Sequence, residues 1–199
     1  MPVLVAAMVL CLLTPAASAP LRLRVDLVFS GPALPPRLEA SAMEEVTRIW
    51  APYGVDVHAS SAAAGTREGV VRLTVVLADP PGVRMASDVL GSIRFLDDVP
   101  EPGIVMYPNE IDRIVSAGRL HGRDERDWPI AFRHLILGRV LGRALAHELG
   151  HFLLRSPHHS RAGLMRSEQA LPDLVGPDRH PFVLSAAEAA QFASVTGSD

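Results

Sequence analysis

The sequence predicts an α/β (α+β) fold, a twisted, mostly parallel sheet with helices packed on it. Two observations lead to this prediction. In the N-terminal part, short strand-like segments alternate with helical segments, an order typical of parallel sheets covered by helices. From residue 128 onward the sequence is first strongly helical and then irregular, and it closes with one further helical segment. We therefore expect a long helix to lie behind the sheet.

The strand predictions follow from alternation and from β-branched content. Residues 21–29 begin with alternating apolar and charged side chains, which favours a strand with one buried face. Val70–Leu77 is rich in β-branched residues and has few charges, which favours a central strand buried on both faces. Three shorter strands are expected at residues 55–58, at 90–95 and at 103–107, of which 90–95 is interpreted as an edge strand.

Three of the predicted helices are short or of medium length. Residues 37–50 place most of their apolar side chains on one helical face, and Trp50 at the end of this segment is expected in the core. Residues 109–115 are expected to form a helical turn or a short helix. Ser185 and Glu188 have the spacing of a capping box, which predicts a last helix that runs to about residue 195.

The longest predicted helix begins near Pro129 and ends near Leu154. Gly138 and Gly142 lie inside it, and they indicate either a break near Gly138 or a place where another element packs closely. Three basic side chains of this helix are expected to remain solvated: Arg133, Arg139 and Arg143.

Residues 1–19 have the pattern of a secretory signal peptide. An apolar run at residues 3–13 precedes Ala17-Ser18-Ala19, which has the A-x-A form of a cleavage site. The alternative is an N-terminal core strand or helix. Removal of the signal would leave residues 20–199 as a single domain, secreted or periplasmic, without the one cysteine, Cys11.

Charge and hydropathy exclude several partner classes. The net charge is −3 and no basic block stands out, which argues against nucleic acid. After the predicted signal, no apolar stretch approaches the ~20 residues that a membrane-spanning helix needs. We therefore expect neither nucleic acid nor a membrane span, and the oligomeric state stays open.

The strongest chemical signal is an H-E-x-x-H pattern on the long predicted helix. His147 and His151 are four residues apart, so their imidazoles lie on one helical face about 6 Å apart along the axis and can bind one metal ion. Glu148 lies beside the first histidine, where it can poise a water without being a ligand. This pattern is that of zinc peptidases. The alternative is an ordinary helix that contains these residues, but its apolar flanks would then bury two imidazoles and a carboxyl group without partners.

Zinc needs a third protein ligand if a water is to take the fourth position. The nearest candidates are His158 and His159, and Glu168 is a further one, since carboxylates also bind zinc. The residues alone leave these three alternatives open.

The sequence around the motif resembles the metzincin clan of zinc peptidases, whose signature is H-E-x-x-H-x-x-G-x-x-H followed by a Met-turn. His147, Glu148 and His151 match it residue by residue, and Met165 fits the Met-turn. His159 and the serine after it resemble the His-Ser of the matrixin-like branch. The resemblance covers residues 147–165.

The sequence departs from the clan signature after the second histidine. The family glycine would fall at Leu154 and the third histidine at Pro157, so the connection to His159 is two residues longer. The family glycine permits a sharp turn after the helix, and residues 155–157 must make this turn differently. The longer connection and the His-Ser pattern favour His159 over His158.

The resemblance implies a metzincin-like twisted mixed sheet with an active-site helix, a Met-turn and a C-terminal helix. It further implies a zinc endopeptidase in which Zn²⁺ is held by His147, His151 and His159, with Glu148 as general base. The peptide or protein substrate would lie extended along the edge strand at 90–95, and residues 166–183 would form one wall of the specificity pocket. The competing hypothesis is a non-catalytic metal-binding or interaction module that retains the helix.

A second group, of acidic residues, fits either a solvated loop or a calcium site. Asp97, Asp98 and Glu101 lie close in sequence, but they lack the spacing of a calcium loop, so a solvated loop is the favoured interpretation.

Overall fold

The structure is a computed structural model that describes residues 22–65, 67–79, 89–118 and 127–196. The predicted signal peptide, residues 1–19, lies outside the described residues, and so does most of the charged segment before the long helix. No helix in the described ranges is long and apolar enough to cross a bilayer.

Five strands of the described chain form one mixed sheet: β1 (Leu23–Ser30), β2 (Val55–Ser60), β3 (Val70–Leu77), β4 (Gly91–Leu96) and β5 (Val99–Met106). Their order across the sheet is β2-β1-β3-β5-β4. β1 pairs in parallel with β2 and β3, and β3 pairs in parallel with β5, whereas β4 is antiparallel to β5. The α/β prediction of a mostly parallel sheet is confirmed, and β4 is an edge strand as expected.

The expectation that β3 is buried on both faces is wrong. Leu73, Val75 and Leu77 are buried, but Thr74 between them is exposed. The β-branched residues of this strand therefore reflect the preference of such side chains for a pleated backbone. The helices described below bury the face that carries Leu73, Val75 and Leu77.

Five α-helices of the described residues accompany the sheet: α1 (Pro36–Trp50), α2 (Pro108–Ala117), α3 (Ile130–Leu153), α4 (Leu171–Val175) and α5 (Ala186–Thr196). α1 contacts β2, α3 contacts β4 and β5, and α1 and α3 pack against each other. Trp50 is fully buried at the end of α1, and its indole N–H donates a hydrogen bond to the carbonyl of Ala146, 3.1 Å away. The long helix thus lies behind the sheet, as predicted.

α3 continues without a break through Gly138 and Gly142, so the break considered at Gly138 does not occur. A Cβ atom at Gly138 would lie 2.5 Å from the carbonyl oxygen of Leu38, and one at Gly142 would lie 2.5 Å from that of Ala42. Both glycines therefore permit the close approach of α1, which is the other interpretation that the sequence allowed.

Arg143 was expected to be solvated, and this expectation is wrong, since its side chain is fully buried. Its Nε donates to Glu45 Oε1 at 2.7 Å, and its two terminal nitrogens donate to the carbonyls of Asp173, Leu174 and Asp178. The segment after the helix folds back over Arg143 and supplies these carbonyls. Burial lowers the pKa of Arg143, and the hydrogen bond and charge of Glu45 oppose this shift.

Glu45 completes what we call the ionic cluster, which consists of Glu45, Arg143 and Arg179. Its second oxygen, Oε2, accepts hydrogen bonds from Arg179 Nε at 3.0 Å and from the terminal nitrogen at 2.6 Å. The guanidinium of Arg143 also lies 4.5 Å from the centre of the Phe182 ring, within cation–π distance. The cluster joins α1, α3 and the segment 173–182 through groups that are all paired.

The predicted capping box at the last helix is confirmed by both of its hydrogen bonds. The backbone N–H of Glu188 donates to Ser185 Oγ at 3.3 Å, and the backbone N–H of Ser185 donates to Glu188 Oε2 at 2.7 Å. One turn later, Gln191 Nε2 donates to the carbonyl of Leu154 at 2.7 Å, which attaches α5 to the end of α3.

Asp97 and Asp98 form the two-residue turn between β4 and β5. Both have positive φ, at 49° and 63°, as a tight hairpin turn with two left-handed residues requires, and aspartate tolerates this conformation. Both are exposed. The favoured solvated loop is therefore the better description of these residues.

Candidate metal centre

The last two turns of α3 bring His147 and His151 together. Their ring centres are 4.8 Å apart, and the two Nε2 atoms are separated by 3.1 Å. The four-residue spacing on a regular helix produces this approach, as the sequence predicts.

The other nitrogen of each ring is committed to a backbone carbonyl. His147 Nδ1 lies 2.8 Å from the carbonyl oxygen of Leu164, and His151 Nδ1 lies 2.7 Å from that of Ser156. A carbonyl oxygen can only accept, so each Nδ1 must carry the hydrogen, and in neutral rings both Nε2 atoms then present lone pairs.

Neutral rings are the favoured state here. Burial lowers the pKa of His147 to about 4 and also lowers that of His151, and the neighbouring histidines act in the same direction. Two acceptor nitrogens therefore converge on one point. They cannot bond to each other, but a cation between them would satisfy both. Carbonyl-bound Nδ1 groups of this kind orient the metal-binding histidines of proteins.

The chain leaves α3 through a Schellman motif with an arginine at its left-handed position. Arg155 has φ of 49°, its N–H donates to the carbonyl of Phe152, and the N–H of Ser156 donates to the carbonyl of His151. This is how the chain turns without the family glycine. The same turn places the carbonyl of Ser156 against the ring of His151.

The connection then delivers His159 to the two helical histidines. Its ring stacks on that of His147 at 5.2 Å and meets that of His151 edge-on at 4.9 Å. One nitrogen from each of the three rings lies within 4.8 Å of the others, and no other such group of three ligand residues occurs among the described residues. His158 and Glu168 are exposed and outside this group.

Three imidazoles, of which that of His159 is exposed, fit Zn²⁺, which in catalytic sites takes three protein ligands and one water. The structure thus brings together the three residues that the sequence analysis chose. Their assignment as ligands stays a prediction.

The loop that carries Met165 closes beneath these residues. The N–H of Ser160 donates to the carbonyl of Met165 at 2.9 Å, and Gly163 has a positive φ of 82°. Met165 is buried with its sulfur against Gly150, where a Cβ atom would collide with that sulfur. A side chain at position 150 would therefore have to displace this methionine.

The side chain of Glu148 lies between the backbone of α3 and the start of the edge strand β4. A Cβ atom at Gly91, the first residue of β4, would lie 2.8 Å from Met106 Sδ and 3.0 Å from Glu148 Cγ, so a larger residue there would crowd both side chains. Glu148 is 8% exposed, and its carboxyl group has no ion-pair or hydrogen-bond partner within the described part of the chain. Burial raises its pKa to about 8.

Solved structures show which fold this is. Archaemetzincin from Methanopyrus kandleri aligns with a TM-score of 0.53 and 15% identity, over 89% of this chain and 97% of that chain. The chain has a fold similar to that of archaemetzincin. Metalloproteinase-II from Bacteroides fragilis aligns with a TM-score of 0.45 and 14% identity, over 92% of this chain and 55% of that chain. No protein-family model and no curated protein sequence matches this chain.

Three contributors to the site were missed in the sequence. The carbonyls of Ser156 and Leu164 are backbone groups, which every residue type has, so the sequence gives no signal for them. Gly91 does leave a signal, because a glycine that opens an edge strand indicates the close approach of another group.

Proposed function

We propose that this protein is a zinc-dependent peptidase. The observation that carries the proposal is the convergence of two acceptor nitrogens, from His147 and His151, 3.1 Å apart and beside the buried carboxyl group of Glu148. The fold similarity to a protein named archaemetzincin supports it. The matrixin-like His-Ser at His159 supports membership of the metzincin clan.

In this proposal His147, His151 and His159 hold Zn²⁺. When bound, Zn²⁺ would lower the pKa of a water to ~7 and polarise the scissile carbonyl. The Oε atoms of Glu148 would accept a proton from the attacking water and deliver it to the leaving amine. In the metal-free protein burial raises the pKa of Glu148 toward neutrality, the range in which a carboxyl group can both take up and release a proton.

We propose that the substrate is a polypeptide bound along β4, which would make the enzyme an endopeptidase. Among the described strands β4 pairs only with β5, so its other edge would offer backbone N–H and C=O groups to an added strand. Gly91 at the start of this edge lies against Glu148, so a peptide paired with β4 would run toward the general base. Residues 166–183 would form one wall of the pocket.

Export is a separate part of the proposal and depends only on the sequence of residues 1–19. Expression with these residues in a bacterium that has a periplasm should yield a mature chain that begins at residue 20. N-terminal sequencing of the purified protein tests this directly, and a chain that keeps Met1 would contradict it.

The activity is tested by zinc content and by cleavage of a peptide library. We expect one zinc per chain and internal cleavage of peptides, and we expect Glu148→Gln to keep the zinc and to lower kcat by about 10³-fold. Retained hydrolysis in Glu148→Gln would exclude the role of Glu148. One bound zinc without hydrolysis of any peptide would instead favour a non-catalytic metal-binding module.

A further inference from the structure

We propose that Gln169 is a positioning residue of the metal centre. Its side-chain amide holds the backbone carbonyl that fixes the orientation and tautomer of His147. The proposal rests on the proposed metal site, and it assigns a role to a residue outside the motif and outside the set of ligands.

Two side-chain donors share one backbone carbonyl oxygen, that of Leu164. The oxygen of Leu164 accepts from His147 Nδ1 at 2.8 Å and lies 3.4 Å from Gln169 Nε2. The same amide nitrogen donates to the carbonyl of Gly163 at 3.2 Å. A carbonyl oxygen has two lone pairs, so it can accept from both donors. The amide of Gln169 thus spans the two successive carbonyls that precede Met165.

The orientation of this amide is itself fixed. Gln169 Oε1 accepts from a terminal nitrogen of Arg166 at 2.9 Å, and the same nitrogen donates to Asp173 Oδ2 at 3.0 Å. Because a guanidinium can only donate, the oxygen of Gln169 must face Arg166 and its NH₂ group must face the carbonyls. The loop that supports His147 is therefore connected through Gln169 and Arg166 to Asp173 on α4.

This connection acts next to a glycine, the residue with the greatest conformational freedom. Gly163, with φ of 82°, precedes Leu164, and the N–H of Leu164 is bound to the carbonyl of Val183 at 2.8 Å. The side of the peptide that faces His147 has only His147 and Gln169 as partners among the described residues. Without Gln169, the carbonyl of Leu164 would be freer to rotate, and Nδ1 of His147 would lose a fixed acceptor. The proton could then move to Nε2, the atom that must bind the metal.

The chain offers a matched control in Gln191. Its Nε2 also donates to a backbone carbonyl, that of Leu154, at 2.7 Å. That carbonyl follows the same helix α3 but is not bonded to any histidine. Gln169→Ala and Gln191→Ala therefore remove the same kind of hydrogen bond, and only the first one leads to a metal-binding ring.

The test measures Zn²⁺ affinity by competition with a chromophoric chelator, together with the visible absorption spectrum of the Co²⁺-loaded protein. We expect Gln169→Ala to raise the dissociation constant for Zn²⁺ about 10-fold, the lower range for a lost outer partner of a ligand, and to change the Co²⁺ spectrum. Gln191→Ala should stay within about twofold of the unmodified protein. The melting temperatures of the metal-free variants report the purely structural cost of each change.

Gln169→Glu is the second variant, and it is measured in place of Gln169→Ala if the alanine variant is too unstable. It preserves side-chain length and the contact with Arg166 but replaces the donor by a carboxylate oxygen that faces two carbonyls. We expect a loss of zinc affinity at least as large as for alanine. Unchanged affinity and an unchanged Co²⁺ spectrum in the Gln169 variants would overturn this proposal alone, whereas a parent chain that binds no zinc would overturn the proposed function.

Discussion

Glu45 and Glu148 both carry a buried carboxyl group, yet the surroundings of the two groups differ. Glu45 lies on α1 and contacts α3, and Glu148 lies on α3 itself. Glu45 is 3% exposed, and each of its oxygens is paired with an arginine of the ionic cluster. Glu148 is 8% exposed and has no partner in the described chain. The difference distinguishes a structural charge from a functional one. A buried charge with complete pairing holds elements together, whereas one without pairing indicates a site completed by a ligand.

The same contrast applies to the neighbouring cations and imidazoles. All three nitrogens of the Arg143 guanidinium donate to acceptors of this chain, and the side chain is fully buried, so it is closed to a ligand. His147 and His151 have satisfied only their Nδ1 atoms, and their Nε2 atoms face each other. One turn of helix thus separates a closed set of polar groups from an open one.

The largest effect on stability is expected from Glu45→Gln. This change removes the charge that compensates Arg143, and it should lower the free energy of unfolding by about 3 kcal/mol, because one partner of a buried pair is left without its counter-charge. Urea denaturation of the metal-free protein measures it. The control is Glu44→Gln, since Glu44 pairs only with the exposed Arg48 and should change stability by less than about 0.5 kcal/mol. Equal effects of the two changes would contradict the structural role of the cluster.

The same substitution at the other buried carboxyl group should act in the opposite direction. In the folded metal-free protein the pKa of Glu148 is raised to about 8 from its usual 4.5, so the unfolded chain loses this proton at lower pH than the folded one. The folded state therefore becomes less stable as the pH rises through this window. Gln does not titrate, and Glu148→Gln should be more stable than its parent by about 2 kcal/mol at pH 8.

Denaturation of both metal-free proteins at pH 5.5 and pH 8 checks this expectation. The stability gain of Glu148→Gln should be smaller at pH 5.5, because Glu148 is then close to neutral in the folded state. A gain that does not vary with pH, or a loss at pH 8, would contradict the absence of a partner for this carboxyl group.

Much of this difference could be predicted from the sequence, but not all of it. The spacing of His147, Glu148 and His151 predicted the open site, because the geometry of a helix relates residues four apart. The ionic cluster could not be predicted, because an arginine in this helical pattern is expected at the surface. Only the fold shows that the segment 173–182 covers Arg143. The metal site depends on spacing within one helix, whereas the ionic cluster depends on contacts between residues far apart in the chain.

The turn after α3 is an intermediate case. The sequence showed that the family glycine is missing at Leu154, and it did not reveal that Arg155 takes the left-handed conformation. The hydrogen bonds of the Schellman motif offset the strain of this residue. Propensity alone would not place an arginine there.

The smallest effect is therefore expected from Arg155→Gly. Glycine adopts positive φ without strain, so this change should raise the free energy of unfolding by about 1 kcal/mol. Thermal unfolding measures it, and Arg155→Ala serves as the control because alanine keeps the strain. Zinc affinity should not change in either variant. A loss of stability in Arg155→Gly would mean that the arginine side chain contributes more than its backbone costs.

The most direct test of the difference between the two regions is the structure of the protein with zinc bound. We expect one Zn²⁺ held by Nε2 of His147, Nε2 of His151 and one nitrogen of His159 at about 2.0–2.1 Å, with Glu148 beside it but not bound to it. The ionic cluster should be unchanged. Coordination by His158 or Glu168 in place of His159 would contradict the ligand set, and the absence of zinc between His147 and His151 would contradict the metal centre itself.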